Sequence, residues 1–277
     1  MSEALNLISS MEDAKILAGG QSLIPLMKLR LASPSALVDI NGLAELKYIR
    51  EDKGEIAIGA LTSHDEVTRE PMLRRRCFLL SEATGVIADP QVRNRGTIGG
   101  SLAHADPTAD LPTACTALDA TVITQSEKGS RSIKCADFFR DYFTTSLRQD
   151  EIIKEVRIPI PPPRTAGAYL KLTRGHNDFA IVAVAAQITV TPKNVCENVT
   201  LVLGGVAPTP AHATGTENFL RGRDLNDESI REGAQRATEG LTPVSDARAS
   251  SEFRLKMART MSERALRIAF DRIGGGA

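Results

Sequence analysis

The sequence has no excess of charge of either sign: 34 lysines and arginines face 34 aspartates and glutamates. Nucleic-acid binders usually carry a basic excess or stripe, so that class is set aside. Arg74-Arg75-Arg76 is the one tight basic cluster, and it reads as a solvated helix end. Cysteine is scarce and scattered, at Cys77, Cys115, Cys135 and Cys196, with no CxxC pair. This argues against an iron–sulfur cluster held by this chain and fits reduced thiols in a cytosolic protein. The four histidines, His64, His104, His176 and His212, form neither HExxH nor HxH, so no metal site is expected. The longest low-charge run, 179–190, is about half of what a bilayer requires and reads as a buried strand, so no transmembrane segment is expected. The first residues show no basic n-region and no apolar h-region, and the expected setting is cytoplasmic. No solenoid-type repeat is present.

What is there is an ordinary globular composition, 42% hydrophobic and 25% charged. Short strands are predicted at 15–18, 36–40, 55–60, 120–124, 131–134 and 152–158. Helices are predicted at 2–13, from about 65, at 79–88 and at 112–118, and 22–31 reads as a helix or an extended apolar segment. The run 159–167 holds Pro159, Pro161, Pro162 and Pro163, forbids a helix and reads as an extended linker. Beyond it come strands at 167–173, 181–190 and 195–203, then helices at 227–239 and 250–272. The last helix carries Phe253, Met257, Met261, Ala265 and Ile268 at helical spacing and is stopped by Gly274-Gly275-Gly276. Strands and helices are segregated, so the fold class is α+β, with domains at 1–162 and 163–277.

Two places break this pattern in the same way. Ile16-Leu17-Ala18 stops at Gly19-Gly20, and Gln21-Ser22-Leu23 lead into a second apolar run. Thr97-Ile98 is likewise followed by Gly99-Gly100-Ser101-Leu102. Adjacent glycines at a strand end expose consecutive amides that nest an anion, commonly phosphate. Taken singly, each reads first as a tight turn. Together, with the hydroxyls of Ser22, Thr97 and Ser101, they suit the two phosphates of a dinucleotide. Neither is GxGxxG nor a P-loop.

The segments 18–23 and 97–102, with Asp106-Pro107 and Asp110-Leu111-Pro112 after the second, resemble the FAD-binding (medium) subunit of the molybdenum hydroxylases, carbon monoxide dehydrogenase type. Xanthine dehydrogenase carries a related FAD domain. The likeness runs through Leu37–Ile40, 58–62, 151–153, Lys171 and the late motif 246–254. It implies a two-lobed PCMH-type FAD-binding domain, followed by a smaller α+β domain with a three-stranded antiparallel sheet. It also implies that both glycine segments (Ala18, Gly19, Gly20, Gln21, Ser22, Leu23; Thr97, Ile98, Gly99, Gly100, Ser101) contact the pyrophosphate. By the same resemblance Asp110 meets the FAD sugars, though a helix-capping role also fits it. Ile87 and Ile153 fall beside the isoalloxazine ring. Lys171 falls near the flavin, where its charge favours an anionic reduced ring; as a bare sequence position it reads as a solvated strand lysine. Phe179 lies in a segment, 174–179, that resembles the flavin cover, and reads equally as a core aromatic. Some relatives have histidine where Gln21 stands, and glutamine forms no covalent flavin bond, so non-covalent FAD is expected. The family usually begins with a further strand, whereas this sequence starts at the helix after it.

The resemblance implies one chain of three. A large subunit would hold the molybdopterin cofactor, and a small subunit two [2Fe-2S] clusters, in a dimer of heterotrimers. No side chain here is assigned as catalytic, His104 and His176 included. The competing readings are a self-sufficient flavin oxidoreductase of the same fold, a cofactor-free assembly subunit, and an unrelated phosphate-binding protein.

Overall fold

The computed structural model describes residues 1–175 and 177–274; His176 and residues 275–277, with the last two glycines of the expected helix stop, lie outside the described residues. A small first lobe is built from α1 (Ser2–Ser10), β1 (Ala14–Leu17), α2 (Leu23–Lys28) and β2 (Ala36–Asp39). β1 and β2 pair in parallel, with Ala14 opposite Ala36 and Leu17 opposite Asp39. Leu5, Ile8, Ala14, Val38 and Ile40 close a core of their own beneath them. α1 ends sooner than predicted, because Asp13 takes a positive φ and turns the chain into β1.

The second lobe begins with the hairpin β3 (Ile49–Asp52) and β4 (Glu55–Gly59), turned by Lys53-Gly54, both at positive φ. The helix expected from 65 is two helices, α3 (His64–Arg69) and α4 (Pro71–Arg76), because Pro71 cannot donate within a helix and starts a new one. Ser63 and Glu66 form a capping box ahead of α3. Next come α5 (Phe78–Gly85), α6 (Pro90–Arg95), α7 (Ile98–His104) and α8 (Asp110–Ala117). Asp89-Pro90, expected to end a helix, instead starts α6: the Asp89 carboxylate accepts from Val92 N at 2.9 Å and Pro90 takes the first turn. β5 (Thr121–Ser126), β6 (Gly129–Lys134), the short α9 (Cys135–Phe138), the small hairpin β7 (Phe139–Asp141) with β8 (Thr144–Thr145), and β9 (Ile152–Pro159) complete the lobe. Its sheet runs β3-β4-β9-β5-β6, antiparallel throughout. Ile56, Ile58, Val122, Val156 and Ile158 bury their side chains in one core with residues of α5, α7 and α8.

The remaining chain forms β10 (Thr165–Leu172), β11 (Val182–Val190), β12 (Cys196–Gly204), β13 (Ala211–His212), α10 (Thr214–Leu220), α11 (Asp227–Gln235) and α12 (Ser251–Gly274). The sheet is β10-β11-β12-β13 and has four strands, not the three expected; the fourth is a two-residue edge strand, too short to announce itself by alternation. α12 lies along one face of this sheet and α5 with α8 along the other. The buried stripe of α12 is Arg254, Ala258, Met261, Ser262, Ala265, Leu266 and Ala269; of the expected positions Met261 and Ala265 lie in it, Met257 and Ile268 pack against its edge, and Phe253 faces outward. β10 is an edge strand, and its open side is sealed. Tyr169 N donates to Glu82 on α5 at 3.1 Å, and Arg272 on α12 donates to the Gly167 carbonyl and to both Glu82 oxygens.

Candidate functional site

The first glycine segment leaves β1 and reverses within five residues. Gly20 has φ +74°, a left-handed value that glycine adopts without cost. The N–H groups of Gly19, Gly20, Gln21, Ser22 and Leu23 have no protein acceptor among the described residues. Asn41, oriented by Asp39, donates from Nδ2 to the Ala18 carbonyl at 2.8 Å and fixes the start of the turn. The Gln21 amide bonds back to the Gly19 carbonyl at 3.2 Å. Five adjacent donors, and a Ser22 hydroxyl with no partner among the described residues, are the groups from which an anion nest is built.

The second segment is built differently. It is the first turn of α7, with Thr97 as N-cap accepting from Gly100 N at 3.1 Å. Ile98 N donates to the Thr62 carbonyl, Gly99 N to Ala60, and Ser101 N to Thr97. The amides of 98–101 are therefore occupied, and the expectation of a second open nest does not hold. Gly99 is glycine for packing: a Cβ there would sit 2.6 Å from the Ala60 Cβ. What this segment offers outward is the Gly100 face and the Ser101 hydroxyl, which has no partner among the described residues. The two segments do meet. A Cβ on Gly19 would fall 2.6 Å from the Arg95 carbonyl carbon and 2.9 Å from Gly96 Cα, and one on Gly100 would lie 3.9 Å from the Ala18 Cβ.

A second group of predicted residues gathers beside β10. Asp110, buried, accepts from Lys171 Nζ at 2.9 Å and from the Tyr169 hydroxyl at 2.8 Å. It is the first residue of α8 and makes no capping bond; Ala109 holds the cap position. Lys171 is not a solvated strand lysine: its side chain is 7% exposed and also donates to the Val86 carbonyl at 3.2 Å. Burial pushes the Asp110 carboxyl above the usual range, against the lowering effects of Lys171 and Tyr169. Ile87 follows Val86 and is half-buried against the second-lobe core. Ile153 is buried in β9. Phe179 is 47% exposed, with the Arg248 guanidinium 5.6 Å from its ring centre. His104 packs against the Phe143 ring at 5.3 Å.

No hydrogen bond joins the glycine group to the Asp110 group among the described residues; α7 and the 105–109 segment span the gap. Sequence reasoning missed Asn41 and Tyr169. Tyr169 had a signal, since it stands two residues before Lys171 and strand alternation puts both on one face.

A family profile described as "FAD binding domain in molybdopterin dehydrogenase" matches residues 1–161, and one described as "CO dehydrogenase flavoprotein C-terminal domain" matches 167–269. The 6-hydroxypseudooxynicotine dehydrogenase complex subunit alpha of Paenarthrobacter nicotinovorans is 41% identical over 94% of this chain and 88% of its own. The carbon monoxide dehydrogenase medium chain of Hydrogenophaga pseudoflava is 38% identical over 98% of this chain and 94% of its own. The solved structure of carbon monoxide dehydrogenase from that organism, in a form lacking the Mo-pyranopterin moiety, superimposes with a TM-score of 0.94 at 38% identity, covering 98% of this chain and 94% of that one.

Proposed function

The chain belongs to the FAD-binding medium subunits of the molybdopterin dehydrogenases, an oxidoreductase family, and on that premise we propose how its residues hold the cofactor and where electrons travel. FAD, when bound, accepts and releases the electrons; the chain binds, orients and shields it. The amides of Gly19–Leu23 and the hydroxyls of Ser22 and Ser101 hold the pyrophosphate, with Gly100 leaving room for it. Ala18, Thr97, Ile98 and Gly99 act behind this surface, fixing its shape. Asp110 takes hydrogen bonds from the FAD sugars with the acceptor capacity that Tyr169 and Lys171 leave free. Ile87 and Ile153 line the ring pocket, Lys171 places a positive charge beside it, and Phe179 covers it. The observation that carries this reading is the run of five amides at the first glycine turn with no acceptor among the described residues, which a diphosphate satisfies and neutral water does not match in charge.

The relatives are medium chains of multi-subunit dehydrogenases, and this supports a reading in which other chains hold the remaining redox centres. The electrons come from [2Fe-2S] clusters of a small subunit, which receive them from a large molybdopterin subunit, and pass to an external acceptor. The assembly is a dimer of heterotrimers. Four buried free thiols agree with a reducing, cytoplasmic setting, and no helix among the described residues is long and apolar enough to cross a membrane. The test is co-expression with large and small subunits of the same family. A stoichiometric complex in which substrate bleaches the flavin only when the iron–sulfur chain is present supports the route. Flavin reduced by substrate in this chain alone would favour the self-sufficient oxidoreductase.

A further inference from the structure

Three consecutive carbonyls after α5 are held by two cations. Lys171 Nζ donates to the Val86 carbonyl at 3.2 Å, and Arg93 Nη1 donates to those of Ile87 and Ala88 at 2.8 and 3.0 Å. The turn they hold is strained: Ala88 has φ +38°, a left-handed value for a residue with a Cβ. Glycine would adopt it freely, so something outside the turn maintains it. Arg93 makes no ion pair with a carboxylate among the described residues, and its two hydrogen bonds go to this turn.

The consequence lies on the other side of the backbone. A trans peptide is planar, and its N–H points away from the preceding carbonyl. Holding the Ile87 and Ala88 carbonyls on Arg93 turns the N–H groups of Ala88 and Asp89 the opposite way. Neither N–H has an acceptor among the described residues, and both residues are half-buried. Such donors call for a partner. We propose that Arg93 is a positioning residue for the flavin: it aims the Ala88 and Asp89 N–H groups at a hydrogen-bond acceptor on the edge of the isoalloxazine ring. The inference rests on the FAD reading above and adds a donor pair to it. Two features place the ring here. Ile87, within the same turn, is a ring-lining position of that reading, and Lys171 ties the turn to Asp110. Arg93 also sits on α6, which runs directly into Gly96 and the second glycine segment, so one helix fixes both ends of the cofactor site.

Donors at the ring edge stabilise the more electron-rich, reduced ring and raise its potential. The test uses the full chain loaded with FAD, as wild type, Arg93→Gln and Arg93→Lys. All three should bind FAD at equal stoichiometry, because the amides of 19–23 are untouched. Arg93→Gln should lower the midpoint potential and blur the fine structure of the visible absorbance band. Arg93→Lys, a point charge without the planar fork, should recover part of each. Full FAD with an unchanged potential and band in Arg93→Gln would overturn the inference and leave the flavoprotein reading standing. A wild-type chain that takes up no FAD would remove both. If Arg93→Gln alone fails to fold, Ala88→Gly is added, since glycine removes the strain at that φ. The double variant should fold and keep the lowered potential; a wild-type potential there would overturn the proposal.

Discussion

Gly19 stands against the Arg95–Gly96 peptide with no room for a methyl group, so the two glycine segments touch through the one atom that glycine lacks. The same residue opens the amide nest and joins it to the second segment. Gly19→Ala must push the segments apart. We expect at least a tenfold loss of FAD affinity and about 1–3 kcal/mol of stability, as for other overpacked sites. Gly42→Ala, with open space around its Cβ position, should be neutral in both. Equal FAD affinity in Gly19→Ala and wild type, by fluorescence titration, would contradict the contact.

Gly99 and Gly20 should fail for different reasons. Gly99→Val collides with Ala60 inside the second lobe and should lower the thermal midpoint of the flavin-free chain. Gly20→Val forces a branched residue to φ +74° within the nest and should chiefly cost flavin. Melting curves with and without FAD separate the two; a Gly99→Val chain that melts like wild type would contradict the packing role.

The Asp110–Lys171 pair is buried on both sides, so removing either partner strands a charge. Asp110→Asn or Lys171→Met should each cost about 3–5 kcal/mol, and the double variant markedly less than their sum. Denaturant unfolding of the four proteins checks this. Additive losses would mean the ion pair is not what holds these groups.

His64 is buried against Gly96, and burial, aided by the charge of Arg93, pushes its pKa down to about 4. The unfolded chain takes up this proton near 6.5, the folded chain only near 4. Stability from the neutral imidazole is therefore complete above about pH 6.5 and is lost as pH falls toward 4. The difference is about 3 kcal/mol at 1.36 kcal/mol per pK unit. His64→Leu should show a flatter fall in denaturation midpoint between pH 7 and 4.5. Identical slopes would contradict a neutral buried His64.

Glu82 and Arg272 join α5 to α12 across the edge of β10, with Tyr169 N and the Gly167 carbonyl inside the same network. Arg272→Met should cost about 2 kcal/mol and speed amide exchange at Tyr169 while leaving α3 and α6 protected. Uniform exchange across the chain would argue against a local seal.

The α+β class and the first glycine turn were legible in the sequence because periodicity and glycine pairs are local signals. The fourth strand of the last sheet was not: Ala211–His212 pairs over two residues and has no period to read. Nor was α7, since Gly99 and Gly100 depress helix propensity and the helix is carried by the Thr97 cap and by packing on Ala60. The Ile98 and Gly99 amides of that turn are occupied by the carbonyls of Thr62 and Ala60, nearly forty residues away, which no local pattern announces. Arg93 escaped for the same reason, because its importance lies in the carbonyls it reaches.

The account depends most on the nest at 19–23 holding FAD without a covalent bond. The direct measurement is the absorbance spectrum of the purified full chain after titration with FAD, followed by acid precipitation. One equivalent of flavin bound, then released as FAD into a yellow supernatant over a colourless pellet, is the predicted result. A chain that takes up no FAD, alone or with its partner chains, would contradict it.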